Sequence, residues 1–322
     1  MTVLPVFPIL SASASGSGVV GETAAVFTAV LWTGCAILFA SAGRRIGALS
    51  VNAFRIVMAV VLLGIAHAVI FGSLVPHATG GQWLYMGLSG IIGLAIGDFG
   101  YFGCLVMIGP RRGVLLMATA PIFSAVMGYL VLGEVLSAWN IFGIALTLAG
   151  VFVVILDENV HESEVTVSPR HTAYGVLAGL GGAIGQGVGL VVSKYGMIRA
   201  GGEGAPPLDP LPATLVRMIV AAGFVWITIA LAGKLGRVLA AARDTRAIGR
   251  TFAGAISGPF LGVWLSMVAV TYTAAGVAAT LMALMPVMVI PVLWVVYRQK
   301  TSLRGMVGAA VAVVGVAVLF LV

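Results

Sequence analysis

LSGIIGLAIGDFGYFGCLVMIGPRRGVLLMATAPIFSAVMGYLVLGEVLSAWNIFGIALTLAGVFVVILD, residues 88–157, has a diverged second copy in this 322-residue chain. Displaced by 165 positions, it lies without a gap on residues 253–322. Gly93 falls on Gly258, Gly97 on Gly262, Pro121 on Pro286, Ser137 on Ser302, Gly143 on Gly308 and Gly150 on Gly315. In so apolar a sequence, chance identities among aliphatic residues are frequent. The weight of the match therefore rests on the glycines and prolines, whose backbone roles no other residue fills. Ser89, Gly93 and Gly97 form a row at a spacing of four, and Gly254, Gly258 and Gly262 repeat it. An internal repeat of this size decides the architecture before any single residue does.

The composition says where the repeat lives. The chain is 61% hydrophobic and 8% charged, with a mean hydropathy of +1.15. A water-soluble fold of this length cannot cover its surface with so few charges. Apolar runs of roughly 20 residues, long enough to cross a bilayer as a helix, recur almost throughout. The fold class is therefore an all-α polytopic membrane protein. The net charge of +7 is assigned to loops facing the cytoplasm, and no nucleic-acid partner is expected. Cys35 and Cys104 lie inside apolar runs, so neither a disulfide framework nor a metal site is expected.

Residues 1–21 read as a flexible N-terminal tail, broken by Pro5 and Pro8 and lacking the basic start of a signal peptide. Ten transmembrane helices are then predicted, near 22–41, 50–71, 82–108, 112–132, 139–156, 172–193, 211–232, 250–272, 276–297 and 303–322. The polar stretch 157–171 divides them into a first five-helix repeat, 22–156, and a second, 172–322. Five spans per unit is an odd number, so the second unit must enter the membrane upside down, as two inverted five-helix repeats. Charge agrees. Arg111 and Arg112 follow the third span, whereas their mates after the eighth are Gly276 and Val277. Arg298, Lys300 and Arg304 follow the ninth, whereas the loop after the fourth has no Lys or Arg. Across all loops, only Lys194 and Arg199 fall on the other side, which places both termini outside.

Asp98 is the one acidic residue deep within a predicted span, and an intramembrane carboxylate is by default a functional candidate. The competing reading is a structural carboxyl held by Tyr101 or a neighbouring helix; its repeat mate is Val263, so symmetry does not demand it. Arg55 and Arg217 align at an offset of 162 in the second and seventh spans, each about a turn inside. Either can meet a substrate carboxylate, but snorkelling to the interface or capping a neighbouring helix is the favoured reading. Trp32, Tyr101, Gln186 and Trp264 fall near mid-membrane, with Met117 and Met282 as repeat mates four residues before the prolines. They are candidates for a substrate pathway, against the ordinary alternative of helix packing. Pro121 and Pro286 are expected to kink the fourth and ninth spans, while Gly93, Gly97, Gly258 and Gly262 permit close packing and sliding. Glu134 is expected to cap the end of the fourth span or the start of the fifth.

Taken together, these residues resemble the drug/metabolite transporter superfamily, in particular its ten-helix EamA-type exporters. The resemblance is carried by Arg55 and Arg217, the small-residue third and eighth spans, and Pro121 with Pro286. Its most specific stretch is LGEVLSAWNIFG, residues 132–143, followed by Gly150; the second half departs with Arg298-Gln299 where the first has Gly133-Glu134. It implies a small-molecule exporter of a bacterial-type inner membrane. Amino acids, including aromatic ones, are the first expectation, with drugs, nucleosides, other metabolites or a passive channel as alternatives. It implies no cofactor, surrounding membrane lipid, and a monomer or homodimer. An enzyme is not expected: Asp98 lacks a second membrane aspartate and the GxGD context, and neither HExxH nor GxxxxGK[ST] is present.

Overall fold

The computed structural model describes residues 14–108, 110–156, 169–288, 290 and 302–321. Every regular element among them is helical. In chain order they include α1 (Gly18–Ile46), α2 (Ala48–Phe71), α3 (Gly80–Leu105), α4 (Arg112–Leu132), α5 (Ala138–Ile155), α6 (Thr172–Ile198), α7 (Pro210–Leu231), α8 (Thr245–Tyr272), the shorter α9 (Ala275–Met288) and α10 (Leu303–Leu321). All except α9 are long and apolar enough to cross a bilayer, so nine candidate spans are described. The second half of the expected ninth span, with Pro291, and the loop residues Arg298, Gln299 and Lys300 after it lie outside the described residues, as do most of the predicted tail and the linker to residue 168. The helix that contains the α1 span extends back to Ala14, so residues 14–21, expected as tail, are helical.

Local chemistry sets the helix starts. At α3, Thr79 Oγ1 accepts from Gln82 N at 3.3 Å and Gln82 Oε1 accepts from Thr79 N at 2.9 Å, a reciprocal box that satisfies two orphan donors. At α5, Ser137 Oγ accepts from Asn140 N at 3.1 Å; at α10 its repeat mate Ser302 accepts from Gly305 N at 2.9 Å. Asp209 caps α7 through Leu211 N at 3.0 Å. Asp244 caps α8 through Ala247 N and holds Arg45 Nε at 2.8 Å. The Ala247 bond first, then the Arg45 bond, keep the Asp244 carboxyl below its ordinary range.

The repeat is visible in the backbone. A π-helical segment spans Gly90–Gly97 in α3 and another spans Ile256–Gly262 in α8, ending on repeat mates. In α4 the helical ladder breaks at Ala118 and Thr119, where Thr119 N donates to Leu116 O and Ile122 N to Thr119 O. In α9 it breaks at Ala283 and Leu284, with Leu284 N donating to Leu281 O and Val287 N to Leu284 O. These bonds map onto one another at the offset of 165. The cause is shared: Pro121 and Pro286 lack an N–H and crowd the preceding turn. Each proline sits just after the break, at the start of a renewed helix.

Contacts between α5 and α10 show how the halves are related. A Cβ added to Gly143 would meet Gly315 O, and one added to Gly150 would meet Gly308 O at 2.6 Å. Gly143 and Gly308 are mates, as are Gly150 and Gly315. The repeat carries the contact Gly143–Gly315 onto Gly308–Gly150, so the helices run antiparallel about a two-fold axis perpendicular to them. The same exchange relates the other neighbours: α1 packs on α8 and α9 as α6 packs on α3 and α4, α2 touches α8 as α7 touches α3, and α2 lies against α7. This is the inverted arrangement that an odd span number requires. Lipid offers little hydrophobic drive for helix association, so close backbone approach does the holding.

Gly150→Ala should therefore lower the thermal unfolding midpoint in detergent, on the scale of about 1–3 kcal/mol of overpacking, because the new methyl meets the Gly308 and Ala312 backbone. Gly34→Ala, where nothing lies within 4 Å, should leave it unchanged or raise it slightly.

Candidate functional site

Asp98 follows the π segment of α3 directly, and it stands where three helices meet. Its Oδ2 pairs with Arg55 Nη2 of α2, and its Oδ1 accepts from Gln186 Nε2 of α6 at 2.8 Å. The same Gln186 amide nitrogen donates to Gly93 O at 3.0 Å, a carbonyl within the π segment. Arg55 is fixed from behind, its Nε donating to Asn52 Oδ1 at 2.8 Å. Its guanidinium also lies 5.5 Å from the Phe39 ring centroid and 5.8 Å from that of Phe102. The side chains of Arg55 and Asp98 are only 15% and 11% exposed. A buried charge pair with its remaining lone pairs occupied is tolerable in an apolar interior, whereas either charge alone is not.

The helices reach this point because their facing residues are small. Gly93 lies against Gly189, Gly97 against Gly185, and Gly100 against Gly182, so α3 and α6 run backbone to backbone and antiparallel. On the other side of the pseudo-two-fold, Gly254, Gly258 and Gly262 of α8 face Phe39, Cys35 and Trp32 of α1. The two seams thus share position but not filling: glycine meets glycine in one, and large side chains seat on glycines in the other.

Arg217 is the counterpart of Arg55 in α7 and has a different environment. It is 3% exposed, and its Nε has no hydrogen-bond partner among the described residues. Nη1 contacts Met267 Sδ of α8 at 3.7 Å, and a Cβ on Gly93 would stand 2.8 Å from Nη2. No carboxylate lies within ion-pairing distance of it among the described residues. Asp98 feels the charge of both arginines but is committed to Arg55.

The architecture that frames this cluster matches known proteins. The sequence profile of the EamA-like transporter family matches residues 19–156 and, a second time, residues 173–321. The chain belongs to the EamA-like transporter family. It is a multi-pass membrane protein of the drug/metabolite transporter superfamily, with the family unit present twice. None of the curated proteins matches it. A solved structure described only as "Crystal structure of protein" is similar in fold, with a TM-score of 0.70 at 19% identity, covering 95% of this chain and 96% of that one.

Within this EamA-like fold, Asp98, Gln186 and Arg55 come together, and Tyr101 lies one turn along α3 with its ring 5.7 Å from that of Phe102. Trp32 packs against Gly262. Trp264 stacks on Phe260, 6.3 Å between centroids, and its buried Nε1 has no partner among the described residues. Met282 is core, 4% exposed, and Met117 is half-buried; neither is brought to Asp98 by any contact among the described residues. Two expectations require correction. Arg55 and Arg217 do not snorkel: the first is neutralised inside the bundle and the second is sealed in it, since both face neighbouring helices rather than lipid. Glu134 caps neither α4 nor α5; it bridges to the second half, pairing with Lys194 of α6 at 2.6 Å and accepting from Ala275 N of α9 at 2.8 Å. Lys194 also donates to Thr273 O at 2.6 Å, and Arg199 Nη2 donates to Leu132 O at 2.7 Å, so this end of the bundle is tied across both halves. The opposite end is joined by exposed contacts, Arg45–Asp244 and Arg250–Ser41, beside an open groove of about 700 Å³.

Asp98→Asn and Arg55→Gln should each destabilise the folded protein by about 3–5 kcal/mol, the cost of stranding one buried charge. The double variant should be less destabilised than the sum of the two. A thermal-unfolding cycle in detergent measures this, and additive losses would mean that the pair is not coupled.

Proposed function

We propose that this protein is a secondary transporter that exports small metabolites across the inner membrane by alternating access. Neutral and aromatic amino acids are the first candidates. The observation that carries the reading is the Arg55–Asp98–Gln186 cluster, buried where α3 and α6 cross between the halves and bound to a carbonyl of a π-helical segment. Local π geometry is recurrent at functional positions, because the widened turn frees a carbonyl from the helical ladder. Charged groups inside a bilayer are costly and are retained where a solute or ion passes.

The physical route runs through paired weak points. The π segments of α3 and α8 and the breaks in α4 and α9 occupy equivalent places in the two repeats. Inverted repeats of this kind exchange shapes, so what closes one end in one state closes the other end in the next. In this reading the Glu134–Lys194 bridge is the tie that holds one end closed. The opposite end collects Arg44, Arg45, Arg237, Arg243, Arg246 and Arg250, which favours its placement in the cytoplasm, with both termini outside.

Counterflow tests the transport reading. Purified protein in liposomes preloaded with an unlabelled amino acid should concentrate the labelled one transiently, with a rate that saturates. Arg55→Gln should reduce that exchange at least about tenfold if the cluster lies on the solute path. No exchange with any amino acid, nucleoside or cationic drug would overturn the proposal, and a rate that never saturates would replace it with a channel.

A further inference from the structure

Among the described residues, Arg217 is a cation without an ion-paired anion. Seven residues into α7 from Pro210, it lies about 10 Å inside the span at 1.5 Å per residue. Its surroundings are Gly90 and Gly93 of α3 and Met267 of α8, which supply no charge to offset its own. A guanidinium buried in this way is stable only with an acceptor-rich partner. The nearest acid, Asp98, already gives one oxygen to Arg55 and the other to Gln186. A second donor points the same way. Trp264 lies three residues before Met267, hence on the same face of α8, and its indole Nε1 is buried without an acceptor. Met267 touches Arg217 directly and shares a helix face with Trp264, whose ring stacks on Phe260.

We infer that Arg217 and Trp264 form an anion subsite that takes the carboxylate of the transported solute. The inference rests on the transport reading and narrows its substrate class to carboxylate-bearing molecules. The chemistry of the donor set argues for it. Arginine offers parallel N–H groups that match a carboxylate two to two, and indole adds a single donor with no acceptor of its own. A cationic or purely apolar solute would leave both donors unsatisfied and add a like charge or nothing. The glycines opposite are part of the site: a Cβ at Gly93 would press on Nη2, so a side chain there would displace the guanidinium. The paired arginines then divide the labour. Arg55 is neutralised internally by Asp98, whereas Arg217, nearer the opposite end of the bundle, keeps its charge for the solute.

The experiment compares one solute in four forms on the full-length protein in liposomes: the free amino acid, its methyl ester, its amide, and the decarboxylated amine. The free acid should compete in counterflow at least about tenfold better than the other three, the scale of one charge-assisted hydrogen bond. Arg217→Gln should erase that preference, and Trp264→Phe should weaken it while leaving the protein folded. In parallel, thermal unfolding of the purified protein in detergent is measured with the free acid, with the ester, and with sodium chloride alone. Stabilisation by the acid that is absent with the ester and absent in Arg217→Gln supports the subsite, even without exchange, in which case the transport reading alone fails. Exchange in which acid and ester compete equally overturns the subsite and leaves the transport reading standing. Equal stabilisation by chloride and by the acid also overturns it, in favour of a bound halide. Should Arg217→Gln fail to fold, the wild-type comparison of acid with ester decides.

Discussion

Backbone-to-backbone contact between antiparallel helices is the constraint on which the rest of this structure depends. In water, apolar faces would associate to escape solvent, but in a bilayer the lipid tails are as apolar as leucine. What remains is how closely two helices approach and how many atoms they bring into contact. At Gly143 and Gly150 on α5, and at Gly308 and Gly315 on α10, the approach leaves no room for a methyl group. The α3–α6 seam repeats the device with Gly93, Gly97 and Gly100 against Gly189, Gly185 and Gly182. Such contacts are strong only in register, which is why the two halves meet in one orientation.

The polar groups follow from that closeness. Helices this near bring α2, α3 and α6 within reach of a shared ion pair, and the apolar surroundings make the pair a fixed point rather than a surface ornament. Arg55, Asp98 and Gln186 fasten the α3 side of the interface, while Glu134 and Lys194 fasten one end. The pseudo-symmetry is broken at the chemistry. Val263 stands where a second Asp98 would be, so one repeat carries the acid and the other carries an arginine without one. A transporter that treats its two faces differently needs some such asymmetry, because a symmetric pair of halves would bind a polar solute in two equivalent ways.

The fold was legible in the sequence because it is written in glycine and proline, whose backbone effects survive divergence. The offset of 165 picked out the glycines of the third and eighth spans, Pro121 and Pro286, and the glycines at which α5 and α10 meet, without saying that those two helices touch. The odd number of spans and the arginine pattern then supplied inversion. Side-chain partnership was less legible. Asp98 and Gln186 stood out as polar residues in apolar runs, but nothing in the spacing said that Arg55 and Gln186 would both reach across to Asp98. Their separations of 43 and 88 residues are bridged only by helix packing. Arg217 was read as an interface residue because it lies near a helix start, and helix position along the chain does not report which face is turned inward. Glu134 misled for a related reason: next to Gly133, whose φ of 70° ends α4, a glutamate reads as a local cap, yet its partners belong to α6 and α9.

The central claim is that the two halves lie upside down relative to one another, and Ser137 and Ser302 give the most direct test. They are repeat mates, and each caps the first turn of its helix, α5 or α10. With Cys35 and Cys104 replaced by alanine, a single cysteine is placed at either position and exposed to a membrane-impermeant maleimide on intact cells. Inverted halves predict that the residue 137 cysteine labels from outside, whereas the residue 302 cysteine labels only after the membrane is permeabilised. Labelling of both from the same side would contradict the account.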